Sequence, residues 1–171
     1  MKKEAAFSGL EAAIVLIAFV VVAAVFSYVM LGAGFFATQK SQEVTYSGIK
    51  QSTSNLVLDG QLYGTMSGSP SALTTIKFYL AIPEGGQPQK LSDVSFLLTV
   101  NNGAVNDVKS SATFNPSTDV LAAGDRVQVT LASLSGPQAG GSFTLEIKPK
   151  VGASTLVAKT LATGYNGGVI I

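Results

Sequence analysis

The chain has 171 residues, of which 47% are hydrophobic and only 12% are charged, and its formal net charge is +1. That charged share is about half of what is usual for a soluble domain. The eleven basic residues are scattered and form no stripe, which argues against a nucleic acid partner. The absence of histidine and cysteine excludes disulfides, thiol nucleophiles, histidine-dependent triads and zinc sites built from these residues.

The hydrophobic excess is concentrated near the start of the chain, where no residue from Ala12 to Gln39 is charged. A bilayer core needs roughly 20 helical residues, so this run can span it with tilt. Apolar residues surround the run on every side, which indicates burial all round in lipid or protein. No proline precedes Pro70, and we predict one helix from about Phe7 to about Asn55. Two glycines, at 32 and 34, are expected to weaken it locally.

Beyond a predicted stop at 58–60 the pattern changes to short alternating runs separated by turn residues, as in antiparallel β-structure. The fold class is therefore α+β, a long N-terminal hydrophobic helix followed by an antiparallel immunoglobulin-like β-sandwich. Pro149 lies in a strand pattern and predicts an edge strand or a bulge. The apolar closing residues GVII are expected to pair in the sheet or to pack on another subunit. The predicted strands are 72–82, 93–100, 105–114, 125–132, 142–151, 154–162 and the closing GGVII.

Two lysines stand directly before the apolar run, in MKKEAA. They would hold the N-terminus in the cytoplasm and leave the C-terminal part outside. A secretory signal is one interpretation, with small residues for cleavage at Gly32-Ala33-Gly34, although the run is about twice the usual length. A plain N-terminal anchor is a second interpretation.

A third interpretation comes from resemblance. MKKEAA followed by FSGLEAAIVLIAFVVVAAVFSYVMLGAGF resembles the class III, type IV prepilin-like leader and N-terminal helix of archaeal flagellins, the archaellins, over about residues 1–40. The resemblance implies cleavage between Ala6 and Phe7. It divides the chain into a leader (1–6), a polymerisation and transmembrane helix (7–56) and an outer β-sandwich (57–171).

The resemblance also implies a function and partners. It implies a non-enzymatic subunit of the archaeal flagellum filament, extracellular after assembly and inserted in the cell membrane before it. The implied partners are identical or paralogous subunits, a prepilin-type leader peptidase, and a membrane assembly platform with its ATPase motor. No cofactor is implied.

Two positions depart from the archaellin pattern. Ala6 stands where the family usually has glycine, and Glu11 stands where many archaellins have glycine and type IV pilins have glutamate. A type IV adhesion pilin and a membrane-anchored surface binding domain therefore stay as alternatives. Glu11 is expected to pair with the α-amino group that cleavage creates on Phe7. The alternative is that it stabilises the helix N-terminus through the dipole.

Motifs for chemistry are weak. The run GAGFFA (32–37) matches a shortened dinucleotide fingerprint but lies within a predicted helix instead of after a strand. Asp119 and Asp125 flank a loop and are weak candidates for a shared calcium ion. The serines and threonines have no histidine to activate them, and the sequence predicts no active site.

Overall fold

The computed structural model describes the backbone from Lys2 to Ile171 and the side chains from Ser8 onward. Over that range the chain forms one long helix and eleven β-strands. Contacts divide the chain into a unit that ends at Ser47 and a second unit, Gly48–Ile171. The elements are α1 (Lys2–Thr53), β1 (Val57–Ser67), β2 (Ala72–Ala81), β3 (Gln89–Lys90), β4 (Ser95–Val100), β5 (Val105–Asp107), β6 (Ala112–Asn115), β7 (Val120–Leu121), β8 (Arg126–Leu131), β9 (Ser142–Lys148), β10 (Thr155–Thr160) and β11 (Gly168–Ile170).

Helix α1 is continuous and passes through both Gly32 and Gly34. Each glycine costs about 1 kcal/mol relative to alanine, which is small beside the hydrogen bonds of a long helix. The hydroxyl of Thr38 donates to the carbonyl of Gly34 at 2.9 Å, so this polar side chain is satisfied within the helix. The helix ends at Thr53, two residues before the predicted end at Asn55.

The strands form two main antiparallel sheets that pack against each other. Their strand orders are β11-β1-β2-β8-β6 and β10-β9-β4-β5, and β3 and β7 form a separate pair. Aromatic rings join the sheets at the centre: Phe78 on β2 meets Phe96 on β4 edge to face, with ring centroids 6.2 Å apart. Phe96 also lies 6.3 Å from the ring of Phe114 on β6. The predicted α+β class, with a long helix followed by an immunoglobulin-like sandwich, is confirmed.

Strand β1 was not predicted, and the predicted stop at 58–60 lies inside it. Pairing with β2 runs regularly to Asp59, opposite Tyr79, and resumes with Tyr63 opposite Lys77. The residues between them on β1 outnumber those on β2, so β1 bulges there, and Gly60 takes a φ of 85°. Bulge residues interrupt the alternation of side chains, and the strand was therefore read as a turn.

The predicted strand 105–114 is two strands in different sheets. β5 pairs with β4, whereas β6 pairs with β8 in the other sheet, and a short 3-10 helix (Lys109–Ser111) joins them. The carboxylate of Asp107 accepts a hydrogen bond from the backbone N–H of Lys109 at 2.9 Å, which starts this turn. A single stretch of alternating sequence can therefore contribute strands to both sheets. The alternation does not show which neighbouring strand each half pairs with.

The prediction for Pro149 was wrong. β9 is an interior strand between β10 and β4, and no bulge interrupts its pairing with either neighbour. The strand ends at Lys148, so Pro149 lies just beyond the last paired residue and no ladder hydrogen bond is lost.

The closing residues pair in the sheet, which confirms that prediction. Gly168–Ile170 forms β11 against β1. The Tyr165 hydroxyl secures this strand, since it donates to the carbonyl of Gly168 at 2.7 Å and lies 3.2 Å from that of Gly64. Burial raises the pKa of Tyr165 above its ordinary value, and the hydrogen bond to Gly64 lowers it by less.

The segment after α1 is held firmly by the second unit. Ser54 and Leu56 are buried, and the Leu56 carbonyl accepts a hydrogen bond from the Thr155 hydroxyl at 2.6 Å. Gly152, with a φ of 110°, leaves room for the Ser54 carbonyl, with which a Cβ at this position would collide. The last turn of α1 therefore belongs with the sandwich, as the unit boundary at Gly48 also indicates.

This arrangement predicts that a fragment of residues 48–171 folds without the rest of the chain. Its buried core residues all lie between Leu56 and Ile170, so removing residues 1–47 deletes none of them. We expect a soluble fragment with strand-rich circular dichroism and one cooperative thermal transition. A shorter fragment, 62–171, is the control and should be destabilised, because it lacks Leu56 and half of β1. A disordered or insoluble 48–171 fragment would contradict the prediction.

Candidate assembly surface

The surface of α1 is apolar and uncovered. Every described side chain of the helix from Ser8 to Ser52 is exposed, including Phe19 at 72% and Tyr28 at 80%. Burying apolar surface is worth about 25 cal/mol per Å², so water is a poor environment for this helix. A contiguous apolar surface of this extent marks contact with protein or with a membrane.

By length and composition, α1 can cross a membrane over Ser8–Thr53. An N-terminal signal sequence passes the same test, so this criterion does not by itself separate an anchor from a signal. The part of α1 that begins at Lys40 is polar, and its side chains are also exposed as far as Ser52. There the ammonium of Lys40 lies 2.6 Å from the carboxylate of Glu43, in an exposed pair that adds little stability.

Glu11 lies in the apolar part of the helix and is the sole charged residue between Glu4 and Lys40. It lines a shallow groove along one face of α1 together with Ser8, Val15 and Phe19. In a helix, residues 7 and 11 are one turn apart on the same face. The side chains of Ala6 and Phe7 lie outside the described residues, so the cleavage site and the expected ion pair stay predictions.

The weak metal candidates, Asp119 and Asp125, are both exposed at the surface of the sandwich. Their backbone carbonyls accept hydrogen bonds from the N–H groups of Leu91 (2.8 Å) and Ile82 (3.2 Å), so both residues help to close loops. Among the described residues, no group of three or more acidic, histidine or cysteine side chains is placed to hold a metal ion. The run 32–37 lies within α1, and a dinucleotide fingerprint needs a strand before its glycines.

Sequence reasoning missed two charged residues at the centres of the outward sheet faces, Lys77 on β2 and Glu146 on β9. Alternation in the runs 72–82 and 142–151 does place them on the solvent side. The strand order, which puts β2 and β9 inside their sheets, carries no signal in a single sequence.

The fold and the exposed helix together define a class of protein: a β-domain carried by a long helix whose apolar surface must contact lipid or other subunits. Comparison with known proteins specifies the family. The profile of archaeal-type flagellins matches residues 6–158. Probable flagellin 2 of Archaeoglobus fulgidus is 38% identical over 192 residues, which cover 96% of this chain and 93% of that protein.

Solved structures agree. The subunit in the archaeal flagellum of Methanospirillum hungatei strain JF1 is similar with a TM-score of 0.84 and 62% identity, over 95% of this chain and 99% of that one. Archaeal flagellin FlaB1 from Methanocaldococcus jannaschii has a TM-score of 0.55 at 14% identity, over 67% of this chain and 94% of that one, and shares the fold. The chain belongs to the archaeal-type flagellin family.

The resemblance of residues 1–40 to archaellins is thereby confirmed, and so are the predicted function and location. The protein is a structural subunit of the archaeal flagellum filament, an extracellular appendage for motility, and its partners in that filament are other flagellin subunits.

Proposed function

We propose that this flagellin polymerises through α1, which resides in the cell membrane before assembly and in the filament core after it. The observation that carries the proposal is the contrast between the two units. The sandwich buries most of its large apolar side chains in one core, whereas the described ones of α1 are exposed. A domain that is already closed can remain in water, but the helix requires an apolar environment at each stage.

Transfer of the helix from lipid to a bundle of helices changes its hydrophobic free energy little, because lipid tails are as apolar as leucine. Assembly must therefore be favoured by van der Waals packing, by polar contacts and by the processing of the N-terminus. A transfer with so small a free-energy change is reversible. An irreversible step before the transfer would make assembly proceed in one direction.

Cleavage between Ala6 and Phe7 would be that step. Lys2 and Lys3 hold the N-terminus on the cytoplasmic side, and a prepilin-type peptidase would remove them together with Glu4. The family profile begins at residue 6, directly before Phe7, which supports this division. A membrane platform with an ATPase motor would then extract the processed subunit and add it to the filament.

The function is tested in a strain that lacks its own flagellins and expresses this chain. We expect filaments in negatively stained electron micrographs and restored swimming, because the helix supplies the polymer core. A chain without residues 12–39 is the matched control and should give no filaments. Filaments without swimming would favour the adhesion pilin, and a cell-bound chain that never forms filaments would favour the surface binding domain.

Processing predicts that the mature protein begins at Phe7. Mass spectrometry of intact subunits from purified filaments should find chains that lack residues 1–6. Chains that begin at Phe35 would support a secretory signal cleaved after Gly34, and uncut chains would support a permanent anchor. The variant Ala6→Gly restores the residue usual in the family and should be cleaved at the same bond.

The pairing of Glu11 predicts that Glu11→Gln slows or abolishes assembly while cleavage and membrane insertion continue. The α-amino group of Phe7 exists only after cleavage, so only processed subunits can make this pair. A charge enclosed in an apolar core is costly once its partner is removed, although an intact pair adds little net stability.

The assembly rate can be followed as pelletable filament after induction, with the processed fraction measured in the same cells. Glu43→Gln is the matched control, since Glu43 is exposed and pairs with Lys40 in the polar part of the helix. If Glu11→Gln builds filaments as fast as the unmodified chain, Glu11 acts on the helix dipole and the pairing is wrong.

A further inference from the structure

The outward face of the five-stranded sheet carries a net positive charge. Residues paired across antiparallel strands project to the same side, so Lys77 on β2 shares this face with its partner Tyr63 on β1. Arg126 lies over the ring of Tyr79, 5.2 Å from its centroid, and pairs with Asp59 at 3.5 Å. Because Asp59 offsets Arg126, the ammonium of Lys77 is the surplus charge. We call these five residues the basic face.

The outward face of the four-stranded sheet has the opposite character. Glu146 on β9 lies between Leu97 on β4 and Leu156 on β10, and Asp107 on β5 follows Leu97 in the same row. Two apolar residues are unusually open on this face, Leu156 at 64% and Val105 at 61% exposed. One basic side chain, Lys148, lies at the end of β9 opposite Ser95 and offsets one of the two carboxylates. We call Glu146, Asp107, Leu97, Leu156 and Val105 the acidic face.

Within the described part of the subunit, the charges at the two centres have no partner. Among the residues that the structure describes, neither Lys77 nor Glu146 takes part in an ion pair or a side-chain hydrogen bond. Lys77 lies between Tyr63 and Thr130, and Glu146 lies between two leucines. A partner face packed on these side chains would limit the water around an ion pair and strengthen it.

We propose that the acidic face of one subunit packs on the basic face of the next in the filament, with Glu146 opposite Lys77. Leu156 and Val105 then contact the rings of Tyr63 and Tyr79. This inference rests on the proposed function, because it requires that α1 first brings subunits together. The occupant is a second copy of the chain, since one chain supplies both complementary surfaces.

The basic and acidic faces lie on opposite sides of the subunit, so the proposed contact can be repeated from one subunit to the next. They are the two outer sides of one sandwich, so a subunit that binds a neighbour through one face still presents the other. Contacts between different surfaces that do not close a ring generate helical filaments. Packing of two identical faces would place like charges together, which disfavours a closed dimer.

Charge reversal tests the contact in the full-length chain expressed in the flagellin-deficient strain. Lys77→Glu and Glu146→Lys should each place like charges together and raise the subunit level needed for filaments about tenfold or more. The double variant Lys77→Glu with Glu146→Lys restores opposite charges and should recover filament yield. Its recovery also shows that neither substitution prevents folding.

The matched control reverses two charges that lie on neither face, Lys90→Glu with Glu84→Lys, both exposed and outside the main sheets. This control should assemble like the unmodified chain. If the single reversals also assemble normally, or if the double variant does not recover, the pairing of Lys77 with Glu146 is wrong. If the unmodified chain itself forms no filaments, the proposed function fails instead.

Cysteine crosslinking gives a second readout, and the chain offers no background because it contains no cysteine. Filaments of Lys77→Cys with Glu146→Cys are treated with a bismaleimide about 10 Å long, which matches the spacing of packed sheets, and each maleimide ring adds one thiol across its C=C bond. We expect a ladder of linked subunits on denaturing gels, and no ladder from either single variant. Within one subunit the two thiols point away from each other on opposite outer faces with the core between them, so this short linker cannot join them. Filaments without a ladder would overturn the proposed contact.

Discussion

The organisation of this flagellin depends on one constraint: the apolar surface of α1 cannot remain in water. The sandwich meets no such difficulty, because its two sheets bury a shared core around Phe78 and Phe96. The chain therefore has one part that is stable in water and one part that is stable only in lipid or among other helices. In the proposed pathway, α1 lies in lipid before assembly and among other helices afterwards, and both environments are apolar.

The segment that follows α1 is built into the second unit. The carbonyl of Leu56 accepts a hydrogen bond from the Thr155 hydroxyl at 2.6 Å, and the Ser54 hydroxyl donates to the carbonyl of Lys50. Gly152 allows the closest approach, at the carbonyl of Ser54. This segment is therefore part of the folded second unit and is not a flexible linker.

The sequence predicted those features that depend on local patterns. The helix follows from an uncharged run without proline, and the strands with clean alternation, such as β8 and β9, lie within two or three residues of their predicted bounds. Features set by distant partners were missed: β1 has a bulge around Gly60 that only pairing with β2 stabilises, and the run 105–114 divides because its halves pair in different sheets. The same holds for the candidate assembly residues. Glu11 can be recognised from the sequence as a lone charge in an apolar run. Lys77 and Glu146 resemble other surface residues until the strand order is known.

The apolar surface of α1 and the isolated charged residues can have different roles in the filament. Packing of α1 against other helices is strong but carries little information about register, because apolar side chains along much of its length are chemically alike. Under the proposals made above, charged residues at fixed positions supply that information: Glu11 near the start of the helix, and the opposite charges on the two faces of the sandwich. The proposed cleavage after Ala6 would remove two basic residues and one acidic residue and so would leave the side-chain charges balanced. Subunits without a net charge would not repel one another at long range, and the few charges at contact surfaces could then determine how neighbours align.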